Sequence, residues 1–559
     1  MKTYFLYLPI SLLILTACNS NHNKMEKELS TFIKHHEKQL IPLYIESAKM
    51  GYTASISGKK EDYDSAADLS IKLTKLYTNK QEFEQLKRIK DSGLIKDSVI
   101  SRQLDILYLS YLGNQTDTDK LEEKIRMQSA IENKFAAYRS TVKNNQLSDN
   151  QVDSILRNST NSAELEEVWK ASKKIGEAVA PELTALVKKR NDIAKDLGFG
   201  NYHEMSLKLG EQDPKEVEAL FDELDNLTRE AFTKLKGEID TYLSKRFSLP
   251  VSQLMPWHYQ NRFFQEAPAI YSVNLDGYYK NVNIIDVASK YYSGLGLPVN
   301  DIIARSDLYE KNGKNQHAFC SDIDRNGDVR VLLNVRNDSY WMGTVLHELG
   351  HGIYSKYNDS ALPFLLRDAA HTFTTEAIAM MFGRFYTNPY WIHDNLGISE
   401  TETNKIADDC SQTLRLEQLV FSRWAQVMFR FEKSMYENPE QDLNKLWWDL
   451  VEKYQLIKRP PGRNAPDYAS KIHVATVPCY YHNYLLGELL ASQLYYHISE
   501  KVLRTAHPEN ESFTGKTEAG KFLVDKVCKP GMRYPWNTMI ERATGEKLSA
   551  KYYARQFVK

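Results

Sequence analysis

A mostly α-helical fold is what this sequence predicts, and three observations carry the prediction. Apolar residues recur at three- and four-residue steps through most of the chain. One short stretch alternates apolar and polar residues instead, next to a turn signal. The few cysteines are widely scattered and cannot staple 559 residues, so a large apolar core must hold the fold together. The composition, 42% hydrophobic and 26% charged, is that of a globular protein able to bury such a core. The formal net charge of −1 excludes a global field steering the protein onto nucleic acid, and no nucleic-acid partner is expected.

From the N-terminus, "MKTYFLYLPISLLILTAC" has a lysine near its start and an apolar run from Tyr4 to Leu15. The run is too short to span a bilayer comfortably and reads as a signal peptide over residues 1–17. Its ending, Leu15-Thr16-Ala17-Cys18, resembles a bacterial lipobox, which implies lipidation of Cys18 as the mature N-terminus. The expectation is a lipidated cysteine and polar tether over 18–29, then one domain over 30–559, held to a membrane of the bacterial cell envelope. Asn19, where an aspartate would favour retention at the inner membrane, points to the outer membrane. No later segment is long and apolar enough to cross a bilayer; "YLLGELLASQLYY" is interrupted by Glu488 and reads as a buried helix.

Two long helices come next. In "PELTALVKKRNDIAKDLGFG", Leu183, Leu186, Val187, Ile193, Ala194 and Leu197 share a face, and glycines close the segment. In "DPKEVEALFDELDNLTREAFTKLKGEIDTYL", Asp213-Pro214 is a helix-start signal. The Pro/Gly-rich breaks near "SLPVSQLMPW", "LGLPVND" and "KRPPGRNAPD" read as loops within one fold. "DVRVLLNVR" places Val329, Val331, Leu333 and Val335 on one face, and Asn326-Gly327 before it signals a two-residue hairpin with "HAFCSDID" as partner strand. A calcium loop in "DIDRNGD" is the weaker alternative, because its twelfth position is Leu333 where a bidentate glutamate is needed.

The chemistry lies in "GTVLHELGHGIYSKY". Four helical residues advance about 400°, so His347 and His351 project from one face a turn apart. That separation suits two imidazoles sharing one Zn²⁺, with Glu348 beside the first in reach of the water to be activated. A catalytic zinc needs a third protein ligand and an open position. Glu376, in the second helical stretch "HTFTTEAIAMMFGRF", sits among Ala377, Ile378, Ala379 and Met380, odd company for a solvated acid.

"HELGH" followed by "TEAIA" at this spacing resembles the angiotensin-converting-enzyme family of zinc dipeptidyl carboxypeptidases, whose third ligand is the glutamate of a "HEAIGD"-type segment. "HAFCSDID" is similar to that family's strand along the bound peptide, "KIHVATVPCYYHNYLLGELLASQL" to its Lys-x-His…Pro-Tyr-x-x-Tyr segment, and "ELEEVWKASKKIGEAVAPELTALVKKRNDIAKDLGFGNY" to an N-terminal helical stretch. The resemblance runs over most of residues 120–500. It implies a large helical zincin-type metallopeptidase with a deep central channel between two lobes and a small hairpin beside the active site. It also implies one Zn²⁺ on His347, His351 and Glu376, with Glu348 as general base. Tyr484, assisted by His473, would stabilise the oxyanion. His317 and the backbone of Ala318 would hold a short peptide substrate as an added strand, and Lys471 and Tyr481 would take its C-terminal carboxylate.

Three departures stand out. Met380 replaces an aspartate that supports a zinc histidine in the family, Asn483 replaces an arginine that binds chloride, and no residue clearly matches the glutamine of the carboxylate anchor. Two other functions stay open: an endo-acting oligopeptidase of the thimet-oligopeptidase kind, and a non-catalytic surface lipoprotein that captures peptides or glycans.

Overall fold

In the computed structural model, residues 11–271, 273–315 and 317–558 are described, with the backbone alone for residues 11–21 and a few others. Residues 1–10 of the expected signal peptide lie outside that range, as does the side chain of Cys18. Helix takes up 69% of the chain, and the only strands among the described residues form two small antiparallel hairpins. The mostly helical class read from the periodicity is therefore the observed one.

Helix α1 (Ser11–Ser57) opens the described chain. It runs through the segment expected to be a polar tether, and by Met25 and Leu29 it already packs into an N-terminal layer with Leu86, Ile89, Leu104, Leu107 and Tyr111. The folded part thus begins nearer His22 than residue 30. The two helices read from periodicity are α2 (Ser162–Asp196) and α3 (Pro214–Phe247). Leu183, Leu186, Val187, Ile193 and Ala194 of α2 are buried, and Asp213 caps α3 by accepting from the Lys215 and Glu216 amides, with Pro214 in the first turn.

The alternating segment forms the expected hairpin, β1 (Phe319–Asp322) with β2 (Val329–Leu332), in the register Phe319 to Leu332 and Asp322 to Val329. Its turn is wider than two residues. Asp322 Oδ1 accepts from the Arg325 amide, and Asp324 Oδ1 accepts from the amides of Asn326 and Asp328, so four residues cross between the Ile323–Asp328 pair. Arg325 and Gly327 take positive φ to allow it. The same hydrogen bonds commit both carboxylates to the turn's own amides. Helix α1 holds the hairpin from outside: Tyr52 OH donates to the Val331 carbonyl at 3.0 Å and accepts from the Asp307 amide at 2.9 Å.

The centre is built from three helices, α4 (Ser339–Lys356), α5 (Thr372–Gly383) and, later in the chain, α7 (His482–His497); α6 (Glu400–Glu437) packs beside α7. Close approach sets their geometry. A Cβ on Gly350 of α4 would lie 2.7 Å from Ala379 Cα of α5, and one on Gly487 of α7 would lie 3.0 Å from Glu376 Cβ. Only glycine lets these backbones come so near. The loop joining α4 to α5 inserts Phe364 and Leu365 into the N-terminal layer, which ties the central pair to α1. As expected, α7 is buried rather than membrane-spanning, and Glu488 within it is ion-paired with Arg384. No helix among the described residues is long and apolar enough to cross a membrane. Cys320, Cys410, Cys479 and Cys528 are all free thiols, so packing holds the fold together.

Candidate metal centre and peptide site

On α4, His347 and His351 face α5, which brings Glu376 to meet them. The two imidazole Nε2 atoms are 3.2 Å apart, and Glu376 Oε2 is 3.7 Å from each. Tetrahedral ligands about 2.0–2.1 Å from a zinc ion stand about 3.3 Å from one another, so this triangle has the size of a zinc face. The charges fit as well. A single proton can join only one pair of the three atoms, whereas a dication serves all three. Burial disfavours protonated imidazoles here, pulling His347 down to about 4 and holding His351, which also feels His347, well below the usual imidazole range. Neutral imidazoles are the form that ligates a metal.

The carboxyls feel the same enclosure. Burial, with Glu376 nearby, pushes Glu348 up to about 8, and burial with Glu488 pushes Glu376 to about 7. A dication inverts that balance by favouring ionised carboxylates. His347 nevertheless keeps 27% of its side-chain surface open, so the enclosed site faces an internal cleft rather than solid core.

The support expected from an aspartate at Met380 comes from elsewhere. Thr375 Oγ1 lies 2.8 Å from His351 Nδ1 and, by accepting a hydrogen bond from Nδ1–H, leaves the Nε2 lone pair for the triangle. Met380 packs its sulfur against Gly487 instead. Thr375 is the residue immediately before Glu376, and that adjacency was its only signal in the sequence.

Glu348 lies between Glu376 and strand β1, where it faces Cys320. Among the described residues, β1 pairs only with β2, while the far edge of β2 is taken by a bridge from Asp307 to Leu332. β1 is therefore the edge left to accept an extended chain. His317 and Ala318 come just before it. His317 is exposed and Ala318 half-buried.

The segment 471–484 brings the remaining expected residues together. Lys471 is buried inside a cage of Phe263, Trp424 and Tyr481 rings, each 5.5 or 5.6 Å from its ammonium. A glutamine does meet Lys471: Gln265 Oε1 accepts from Lys471 Nζ at 2.5 Å across 206 residues of chain. Burial, with Arg262 close by, pulls Lys471 down to about 8. The Tyr481 ring stands 5.2 Å from the His473 ring and 5.3 Å from that of Tyr484. His473 Nδ1 is buried without a partner, and burial with Lys471 and His317 pulls this imidazole down to about 4. Tyr484 faces Glu376, as Tyr480 also does; the second phenol was not anticipated. Asn483 turns away from the cleft and accepts from Gln212 Nε2 at 2.8 Å.

The family model described as angiotensin-converting enzyme, peptidase M2, matches residues 23–557. The angiotensin-converting enzyme of Mesocricetus auratus is 24% identical over 432 residues, which cover 71% of this chain and 32% of that enzyme. The chain thus spans about a third of the length of that relative. A thermostable carboxypeptidase 1 from Pyrococcus furiosus is 30% identical over 135 residues, covering 23% of this chain and 26% of the relative. An oligoendopeptidase F homolog from Borreliella burgdorferi is 26% identical over 244 residues, covering 42% of this chain and 39% of the relative. With the match running almost end to end, the chain belongs to the angiotensin-converting enzyme family of peptidases.

Proposed function

We propose that this protein is a zinc peptidase that hydrolyses short peptides and releases dipeptides from their free C-termini. The observation that carries the reading is the triangle of His347, His351 and Glu376 with Glu348 beside it on the cleft wall. A zinc ion held by those three residues would polarise the scissile carbonyl and acidify the attacking water. Glu348 takes the proton from that water and delivers it to the leaving amine. Tyr484 donates to the developing oxyanion, with His473 behind it. The β1 edge lines up the peptide backbone. Lys471, with Gln265 and Tyr481, receives the terminal carboxylate, which sets the cut two residues from the end.

One observation favours a second reading. A cavity of about 280 Å³ adjoins Lys471, lined by Asp149, Asp153, Arg262 and Glu266 among others. An endo-acting oligopeptidase would use that space. Mass spectrometry of products from paired free-acid and C-terminally amidated peptides, with and without a chelator, separates the two. The dipeptidase reading expects chelator-sensitive dipeptide release from free acids and little from amides. Equal cutting of both sinks it in favour of the endo-acting one.

The lipid anchor and outer-membrane location belong to the same proposal, supported by the Leu15–Cys18 motif. Incorporation of labelled palmitate that vanishes in Cys18→Ser is the expected outcome; label retained by that variant refutes it.

A further inference from the structure

We propose that Glu432 of α6 is a positioning residue for Tyr481 and Tyr484: from behind the cleft it holds the turn that leads into them in a strained backbone form. This rests on the peptidase reading above, which gives the two phenols their roles. His473 lies in a short helix, Ile472–Thr476, and α7 starts at His482, so residues 477–481 make the turn between them. Cys479 within it takes a φ of +56°, the left-handed form in which a Cβ crowds the backbone. A residue stays in such a form only where its surroundings hold it there. At this point the Cys479 amide donates to Glu432 Oε1 at 2.9 Å, and both residues are buried.

Two further side chains grip the other end of the turn. Arg190 of α2 donates to the Ala475 carbonyl at 2.7 Å, and Gln128, in the helix Thr118–Ala137, donates to the Thr476 carbonyl at 3.1 Å. Arg190 also donates to Gln128 Oε1 at 2.9 Å and to the hydroxyl of Tyr436, one turn beyond Glu432, at 3.1 Å. Three elements far apart in the chain thus clasp the backbone between His473 and Tyr481, and Glu432 is the one that holds the strained residue itself. Without its acceptor the Cys479 N–H is left buried and unpaired, so the turn gains by leaving the left-handed form. Tyr480 and Tyr481 follow directly. The Asn483 amide, which donates to the Tyr480 carbonyl at 2.9 Å, carries the shift into α7 and Tyr484. Burial pushes Glu432 up to about 8, so its acid is mostly neutral near neutral pH and an amide can take its place.

The test measures kcat and zinc content of the full-length, zinc-loaded protein, with an N-blocked, free-acid tetrapeptide as substrate. Glu432→Met keeps the length of the side chain and removes the acceptor. It is expected to lose about 10–100-fold in kcat at unchanged zinc content, since a misplacement of about 1 Å can cost that much. Glu432→Gln keeps the acceptor and should stay near wild type. Adding Cys479→Gly to Glu432→Met should recover most of the loss, because glycine takes positive φ without strain. Wild-type kcat in Glu432→Met overturns the proposal. So does a loss that Glu432→Gln shares or that Cys479→Gly leaves in place, because damage to the core at large would look like that. If Glu432→Met does not fold, Cys479→Val asks the same question with Glu432 intact: a β-branched side chain resists positive φ, so kcat should fall, and wild-type kcat there overturns the proposal. A wild type that does not cut the peptide overturns the peptidase reading and this proposal with it.

Discussion

Replacing Gly350 with alanine tests how the central helices make the metal centre. The new Cβ would sit 2.7 Å from Ala379 Cα, 3.2 Å from Ala379 N and 3.3 Å from the Ile378 carbonyl oxygen. Carbon atoms in good contact are about 3.5–4.0 Å apart, so α4 and α5 must part by about 1 Å at this point. Two effects oppose each other. Alanine gains about 1 kcal/mol over glycine in a helix interior, whereas overpacking of this kind costs about 1–3 kcal/mol. Because the clash is with backbone, which cannot rotate away, the overpacking term wins and net destabilisation of about 1 kcal/mol is expected. The larger effect falls on the metal. Gly350 adjoins His351, and Ala379 follows Glu376 by less than one turn, so the separation opens the two 3.7 Å edges of the triangle. Zinc affinity should drop by about 10–100-fold, the range seen when ligand orientation is disturbed. Competition titration against a chromophoric chelator reads this directly, with thermal melting of the metal-free protein alongside. Wild-type zinc affinity in Gly350→Ala would refute the claim that this helix crossing sets the ligand geometry.

Other outcomes follow from the same geometry. Glu348→Gln should bind zinc as wild type does but lose about 10²–10⁴-fold in kcat; unchanged hydrolysis removes Glu348 from the mechanism. Thr375→Val deletes the hydroxyl at His351 Nδ1 and should weaken zinc about 10–100-fold, with melting nearly unchanged; equal affinity means that the hydroxyl does not orient the ring. Lys471 is charged below its value of about 8 and neutral above it, so kcat/KM for free-acid peptides should fall as pH rises through that point. Amidated peptides should show no such step, and a shared profile would put the carboxylate anchor elsewhere. Tyr484→Phe should lose more kcat than Tyr480→Phe; the reverse order assigns the oxyanion donor to Tyr480.

What could be read in advance was local. His347, Glu348 and His351 lie within one and a half turns of helix, so spacing alone puts the two histidines on a common face with Glu348 beside them. Glu376 stood out because an acid among apolar neighbours needs a reason. Glycines mark the end of α2 and Asp213-Pro214 the start of α3, and the alternation of Val329 and Val331 is a strand signal that no partner alters. What escaped depends on who arrives from far away in the chain. Gln265 reaches Lys471 only because the fold joins residues 206 apart. Thr375 matters only because α5 crosses α4 closely enough for its hydroxyl to meet His351. Asn326-Gly327 suggested a two-residue turn, but the carboxylates of Asp322 and Asp324 captured amides two to four residues on and widened it. The start of the folded chain was placed late because Met25 and Leu29 are isolated apolar residues in a polar stretch, and their partners come from the Leu86–Tyr111 region.

Zinc content and X-ray absorption of the purified protein test the central claim most directly. The account predicts one zinc per chain, surrounded by nitrogen and oxygen at about 2.0–2.1 Å with no sulfur in the shell, and loss of that signal in Glu376→Ala. A protein that purifies without zinc and takes up none, or one whose zinc carries a thiolate ligand, contradicts it.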